Sequence, residues 1–368
     1  MKILVVQDFL RSGGTERQSV LLASAFARAG HETTLVTFRP GGALQPAQAI
    51  DRLKIRSLQS RDTKLDWWAP GLIRRAKALA PDIVLCMGRM ANCYGGSLQK
   101  ALPQAAVIST LRTGKQLPWA FRRSLTLTRH IIANSRAAQE HLVQQHQIAT
   151  DRISVVANAL VFGPTDAAPN PADREQLREQ HGAAPTDFIL LCVAMFRPEK
   201  NQIALIEMAA RLPAGFPAQL WLAGEGSALE SCRERADELN LGDRIKFLGW
   251  HPDPRPFYRA ADLAVHASKR ESLSNFLIEA QAHGLPAVAC TARGIDETFI
   301  DGESGHLLPQ DDPEQFADTV RNVCQDRDQL QSLGERGRAH ALAHFSADAQ
   351  IKAHLDLFKK LSSLPPTA

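Results

Sequence analysis

No apolar run in the 368 residues approaches the ~18–20 consecutive positions that a bilayer-spanning helix needs. The longest, Phe188 to Phe196, is expected to be a buried strand. Behind Lys2, only Ile3-Leu4-Val5-Val6 precede Gln7 and Asp8, too short for the apolar region of a secretory signal. A cytoplasmic location is therefore expected. The six cysteines (Cys86, Cys93, Cys192, Cys232, Cys290, Cys324) are scattered without a C-x-x-C pair, and four lie in apolar stretches. Buried free thiols explain them better than disulfides or a zinc site. Also missing are G-x-G-x-x-G, heptads, short repeats, and any helix-turn-helix, zinc-finger or RRM-type aromatic signature. The only D-x-D, Asp326-Arg327-Asp328, falls in a late polar helical stretch, where a solvated acidic face is expected rather than a metal site.

The chain is long enough for two ordinary domains, and 44% hydrophobic against 22% charged residues provides a core for each. The net charge of +4 hides an asymmetry. Residues 1–160 hold 22 Lys+Arg against 9 Asp+Glu, a net of +13, which leaves −9 for residues 161–368. The basic half suits an anionic, extended partner and the acidic half a small, enclosed one. A nucleic-acid partner is not expected, since no matching motif accompanies the charge; an anionic membrane remains, beside the plainer reading of a solvated basic face.

Short Val/Ile/Leu-rich runs alternate with helical stretches. Lys2–Val6, Thr33–Phe38, Asp82–Cys86, Ala106–Ser109, His130–Ala133 and Ile153–Val156 are expected as strands. After a break the series restarts with Phe188–Ala194, Gln219–Ala223, Ile245–Leu248, Asp262–His266 and Ala287–Cys290. Continuous apolar strands, each followed by a helix, indicate parallel sheets covered on both faces. The expected organisation is an α/β pair of Rossmann-like domains: residues 1–161, a Pro-rich linker over 162–174, residues 175–345, and a C-terminal helix within 346–368. The apolar face of that helix (Ile351, Leu355, Phe358, Leu361) requires a partner.

Chemistry concentrates at predicted strand ends, where open parallel sheets bind ligands. Gly13 and Gly14, between strand one and helix one, let backbone N–H groups approach a phosphate at a helix N-terminus. Arg197 and Lys200 lie three residues apart after strand Phe188–Ala194, a cationic pair suited to a diphosphate. Gly224-Glu225-Gly226-Ser227 ends the next strand. The sharpest stretch is Glu271-Ser272-Leu273-Ser274-Asn275-Phe276-Leu277-Ile278-Glu279. Glu271 precedes a helix, and Glu279 follows about two turns along it, roughly 12 Å away. Ser272, Ser274 and Asn275 sit in the first turn, where free N–H groups suit a phosphate. One carboxylate borders a sugar-sized space, and the other can accept two ribose hydroxyls.

These residues resemble the retaining glycosyltransferases of family 4, which have the GT-B fold. The resemblance runs from Gly13-Gly14-Thr15-Glu16 through Ala133-Asn134-Ser135, Arg197/Lys200, Gly224, Phe247-Leu248-Gly249 and the E-x7-E pair Glu271/Glu279 to Gly294-Ile295-Asp296-Glu297 and Asp301-Gly302-Glu303-Ser304-Gly305. It implies two Rossmann-like domains facing a central cleft and a C-terminal helix that crosses back to the first. It also implies a nucleoside-diphosphate sugar, UDP- or GDP-linked, as donor. Arg197 and Lys200 would then meet the diphosphate, Glu279 the ribose, Glu271 the transferred sugar, Leu273, Ser274 and Asn275 the distal phosphate, and Trp250 and His251 the base. Two departures stand out. Ala194-Met195-Phe196 replaces the usual G-R-L of the phosphate loop, and the segment Ser109-Thr110-Leu111-Arg112 lacks the histidine that many members carry in the N-terminal cleft. Thr110, Arg112 and Asn134 are the expected residues there. Catalysis without metal or cofactor is expected.

Two aromatic and basic stretches, Trp67-Trp68 through Lys77 and Lys115 through Arg129, suit anionic lipid, which would make the acceptor lipid-linked. Three other classes share tandem βαβ domains: a dinucleotide-dependent oxidoreductase, a nucleotide-sugar epimerase or other GT-B enzyme on a soluble small molecule, and a non-catalytic binding module. The first is disfavoured by both glycine turns and by the absence of an acidic residue after the second strand, which ends Thr37-Phe38-Arg39-Pro40.

Overall fold

The computed structural model describes residues 1–44, 50–164 and 171–365, in two units: residues 1–161 with 347–368, and residues 162–346. The first unit begins β1 (Lys2–Gln7), α1 (Gly14–Arg28), β2 (Glu32–Thr37), β3 (Leu53–Ser57), α2 (Leu72–Leu79), β4 (Ile83–Cys86) and α3 (Arg89–Cys93). It continues with α4 (Gly95–Ala101), β5 (Ala106–Leu111), α5 (Trp119–Leu127), β6 (His130–Ala133), α6 (Arg136–His146) and β7 (Ile153–Val155). The second holds α7 (Pro171–Gln180), β8 (Phe188–Val193), α8 (Gln202–Arg211), β9 (Ala218–Ala223), α9 (Leu229–Glu238), β10 (Ile245–Gly249) and α10 (Arg255–Ala260). After these come β11 (Leu263–His266), α11 (Asn275–Ala282), β12 (Ala287–Cys290), β13 (Gly305–Leu308), α12 (Pro313–Gln325) and α13 (Arg327–Phe345). The last helix, α14 (Ala347–Ser362), returns to the first unit.

Both sheets are wholly parallel. Their strand orders are β3-β2-β1-β4-β5-β6-β7 and β10-β9-β8-β11-β12-β13. Alternation along β1 shows why its residues run apolar without a break. Ile3 and Val5 enter a cluster with Leu22, Phe26, Phe358 and Leu361, while Leu4 and Val6 enter another with Val36, Phe38 and Val84 on the opposite face. Each side of the strand meets a helical layer, so neither side is polar. The apolar stripe of α14 finds its partner here: Phe358 is buried, and its ring meets Phe26 of α1 edge-on at 5.3 Å.

Two strands escape the sequence reading. In β3, Lys54 and Arg56 are exposed between half-buried Leu53 and Ile55, the pattern of an edge strand with one dry face. β13 is four residues long, interrupted by His306, and closes the other sheet's edge. Of the expected linker, residues 165–170 lie outside the described residues, and 171–174 are already the first turn of α7. All six thiols are free; five are buried and Cys93 is half-buried. Asp326 caps α13 by accepting from the Gln329 amide, which gives the D-x-D a structural role.

Candidate active site

Strand order reverses between β8 and β11 in the second sheet, and a doubly wound sheet opens its binding crevice at the carboxyl ends of such strands. Lys200 follows β8 and Glu271 follows β11, so chain positions far apart in sequence meet at this point. The Lys200 ammonium donates to Oε1 of Glu271. His266, the last residue of β11, places Nε2 3.0 Å from the same oxygen. Burial by itself would raise the Glu271 carboxyl, but Lys200 and His266 outweigh it and hold the group at about 2. Glu271 is therefore an ionised carboxylate at neutral pH and no proton donor. The backbone around it is tied in turn: the Lys269 amide and the Ser268 hydroxyl both donate to the Glu199 carbonyl, at 2.9 and 3.1 Å.

Arg197 is half-buried three positions before Lys200, and its guanidinium makes no ion pair among the described residues. Gly224 and Gly226 have φ of +144° and +151°, and a Cβ on either would overlap a carbonyl oxygen, of Ala194 or Phe196. These glycines bring the β9 turn against the Arg197 loop, where the Phe196 amide donates to Glu225 at 2.9 Å. Gly294 does the same for the Glu271 loop, since a Cβ there would overlap the Ser272 carbonyl.

On α11, Ser274 is the N-cap, its hydroxyl accepting the Leu277 amide, and Leu273 is buried just before it. Asn275 opens the helix. Glu279 is buried, and the Tyr258 hydroxyl of α10 donates to its Oε2 at 2.7 Å. Trp250 is half-buried, while His251 is exposed, hydrogen-bonded to the Leu248 carbonyl and packed edge-on against Phe257 at 4.7 Å. The expected donor residues therefore divide. Lys200, Glu271 and the start of α11 share one strand-end region, whereas Gly224 acts through backbone packing.

In the first unit, Gly13 is the N-cap of α1 and Gly14 its first residue. Arg112 and Asn134, after β5 and β6, both donate to Oδ1 of Asn158, at 2.5 and 3.4 Å. Arg112 Nη2 also lies 3.4 Å from Nε2 of His354 on α14. Burial lowers the guanidinium to about 10, and its Nε is buried with no hydrogen-bond partner among the described residues. Thr110 is turned away: its hydroxyl donates to the Cys86 carbonyl at 2.8 Å, pinning β5 to β4. A third buried carboxyl group, Asp8, follows β1 and accepts the Met90 and Ala91 amides at 2.9 and 2.5 Å.

Sequence reasoning missed His266, Tyr258, Asp8, Asn158 and His354. One had a signal, since His354 interrupts the apolar stripe Ile351-Leu355-Phe358 at helical spacing. Among the described residues, no three His, Cys, Asp or Glu side chains cluster as metal ligands, and no helix is long and apolar enough to cross a membrane.

The model for glycosyl transferases group 1 matches residues 173–340, and the model for glycosyltransferase family 4 matches residues 12–160. Together they take in most of both units, leaving residues 1–11, 161–172 and 341–368 outside. The chain belongs to the family 4 glycosyltransferases. It is 29% identical to a lipopolysaccharide core biosynthesis glycosyltransferase, LpsE of Rhizobium meliloti, over 95% of this chain and 96% of that one. It is 33% identical to a D-inositol 3-phosphate glycosyltransferase of Nocardia farcinica, over 57% of this chain and 48% of that one. Among solved structures, Anabaena HepE in complex with UDP-glucose superposes with a TM-score of 0.82 at 21% identity, covering 98% of this chain and 100% of that one. The fold of this glycosyltransferase is thus GT-B.

Proposed function

We infer that this glycosyltransferase moves a sugar, with retention, from a nucleoside diphosphate sugar to a saccharide acceptor in lipopolysaccharide or polysaccharide assembly. The observation that carries the reading is the Lys200–Glu271 pair at the strand-order reversal, beside the N-terminus of α11. A cation there suits a leaving diphosphate, and an ionised carboxylate suits the positive charge that grows on the sugar ring. Arg197 supplies a second cation, Glu279 a grip on the ribose, and Trp250 and His251 a border for the base. The sugar's C1–O bond to phosphate breaks as a bond to the acceptor oxygen forms on the same face, and the departing phosphate oxygen takes the acceptor's proton. No metal enters this scheme. Uracil is favoured as the base by the UDP-glucose complex of HepE, and the acceptor class by the name of LpsE.

A lipid-linked acceptor accords with the first unit's exposed tryptophans, Trp119 at 65% and Trp67 at 59% exposure, with Trp68 and the basic residues beside them. These rings suit the interface of an anionic membrane, where the acceptor would wait.

Transfer assays with UDP- and GDP-sugars on a lipid-linked oligosaccharide, with product anomers read by NMR, test the reading. Retention is expected, EDTA leaves the rate unchanged, and Lys200→Ala and Glu271→Ala each lower turnover at least ~100-fold. Inverted product, or full activity in both variants, overturns it. Co-sedimentation with anionic vesicles across a salt series tests the membrane part, which fails if nothing binds at low salt.

A further inference from the structure

β11 reads Leu263-Ala264-Val265-His266, three apolar residues and then a histidine. A strand end buried on all sides is a costly place for an imidazole, and His266 is only 1% exposed. Its Phe276 neighbour lies 5.7 Å away ring to ring. Nε2 faces the Glu271 carboxylate, while Nδ1 is buried with no hydrogen-bond partner among the described residues. A carboxylate oxygen can only accept, so the proton belongs on Nε2. Burial, and then the Lys200 charge, keep the ring from taking a second proton despite the pull of Glu271. Glu271 is thus faced by two donors, Lys200 and His266, with Cys192 the other titratable group close by.

Both donors converge on Oε1, and no hydrogen bond among the described residues reaches Oε2. They differ in mobility. Lysine carries its ammonium on four rotatable carbons, and an arriving diphosphate competes for that charge. The imidazole has two side-chain torsions and is set in the sheet against Phe276. We propose that His266 is a positioning residue for sugar transfer: its Nε2–H keeps Oε1 of Glu271 in place, with Oε2 presented to the sugar, once Lys200 turns to the donor's diphosphate. This rests on the reading of Lys200 and Glu271 given above. A dipole fixed before the reaction needs no reorganisation during it, so its loss appears in kcat rather than in donor binding.

The test compares His266→Leu, which lacks a donor, with His266→Gln, whose amide reaches the place of Nε2. His266→Leu is expected to lower kcat about 10- to 100-fold with donor KM within about 3-fold, and His266→Gln to recover most of the loss. A second readout needs no activity: the Glu271 carboxyl is followed by 13C NMR through an acid titration without nucleotide. The wild-type group stays ionised to pH 4, its midpoint rises by about one pH unit in His266→Leu, and His266→Gln stays near wild type. Equal kcat and equal titration in the Leu and Gln variants overturn the proposal. If His266→Leu does not fold, His266→Asn, too short to reach Glu271, takes its place, and equality of Asn with Gln overturns it. Should the wild type transfer no sugar from any nucleoside diphosphate donor, the functional reading fails, and the carboxyl titration alone decides whether His266 governs Glu271.

Discussion

The Tyr258 hydroxyl donates to Oε2 of Glu279 across 2.7 Å, joining α10 to α11 inside the second unit. Both groups are buried, so removing the hydroxyl leaves a buried carboxylate short of a donor. Tyr258→Phe is expected to lower stability by about 1–3 kcal/mol. If Glu279 grips the ribose, the same change raises the UDP dissociation constant about 5-fold or more, because a loosened carboxylate binds hydroxyls less well. Calorimetric titration with UDP checks this; an unchanged constant beside a lowered Tm would remove Glu279 from the nucleotide site.

Three glycines separate backbone strain from steric overlap. Gly182, Gly226 and Gly294 have φ of +71°, +151° and +73°. A Cβ at Gly182 would come no closer than 3.9 Å to the Lys246 ammonium, whereas at Gly226 and Gly294 it would overlap a backbone carbonyl oxygen. Gly182→Ala should cost about 1 kcal/mol, and Gly226→Ala and Gly294→Ala about 2–4 kcal/mol each. Urea denaturation followed on the second unit measures the difference, and equal losses at all three positions would refute the packing role.

Asp8 makes stability fall as the solution becomes less acidic. Burial lifts its carboxyl to about 7 against the Met90 and Ala91 amides, with Glu16 and Asp66 adding to the rise. The folded chain thus keeps a proton that the unfolded chain releases near 3.8. Its contribution is complete below that point and is lost as pH climbs through 7, at about 1.4 kcal/mol per pH unit at most. Tm of Asp8→Asn minus that of the wild type should therefore increase from pH 4 to 7 and level off above. A constant difference would place the Asp8 titration elsewhere.

His354 acts in the opposite direction. Burial, and then the neighbouring Arg112 charge, push its imidazole down to about 3. Nδ1 donates to the Gln350 carbonyl at 2.7 Å, so Nε2 faces Arg112 as an acceptor and the ring is neutral. The stability it brings is present above the ordinary histidine value of about 6.5 and drains away as pH drops from there towards 3, again by about 1.4 kcal/mol per unit at most. His354→Leu should flatten this acid loss in the first unit. An unchanged acid slope would show that α14 is not held through a neutral His354.

Much of this molecule is legible before it folds. Continuous apolar strands such as Ile83–Cys86 and Ala287–Cys290 announce parallel sheets dry on both faces, and both lie where the pattern puts them. The stripe on α14 announces a missing partner, and Phe26 supplies it. β3 and β13 stay hidden because neither is a continuous apolar run: β3 alternates Leu53-Lys54-Ile55-Arg56 over only five residues, and β13 opens with Gly305 and His306. Thr110 shows the limit at single residues: its place after a strand suggests a ligand contact, but its hydroxyl is spent on the Cys86 carbonyl.

Local pattern by itself determined the element types, the two βαβ series and the candidates Lys200, Glu271 and Glu279, because hydrophobic period and strand-end chemistry are properties of neighbouring residues. Which of those side chains meet was decided only by the tertiary structure. Lys200 and Glu271 stand 71 positions apart, and Arg112 and His354 stand 242 apart. Sheet order and the return of α14 bring each pair together, and burial then sets their charge, since desolvation depends on everything packed around a group rather than on its place in the chain.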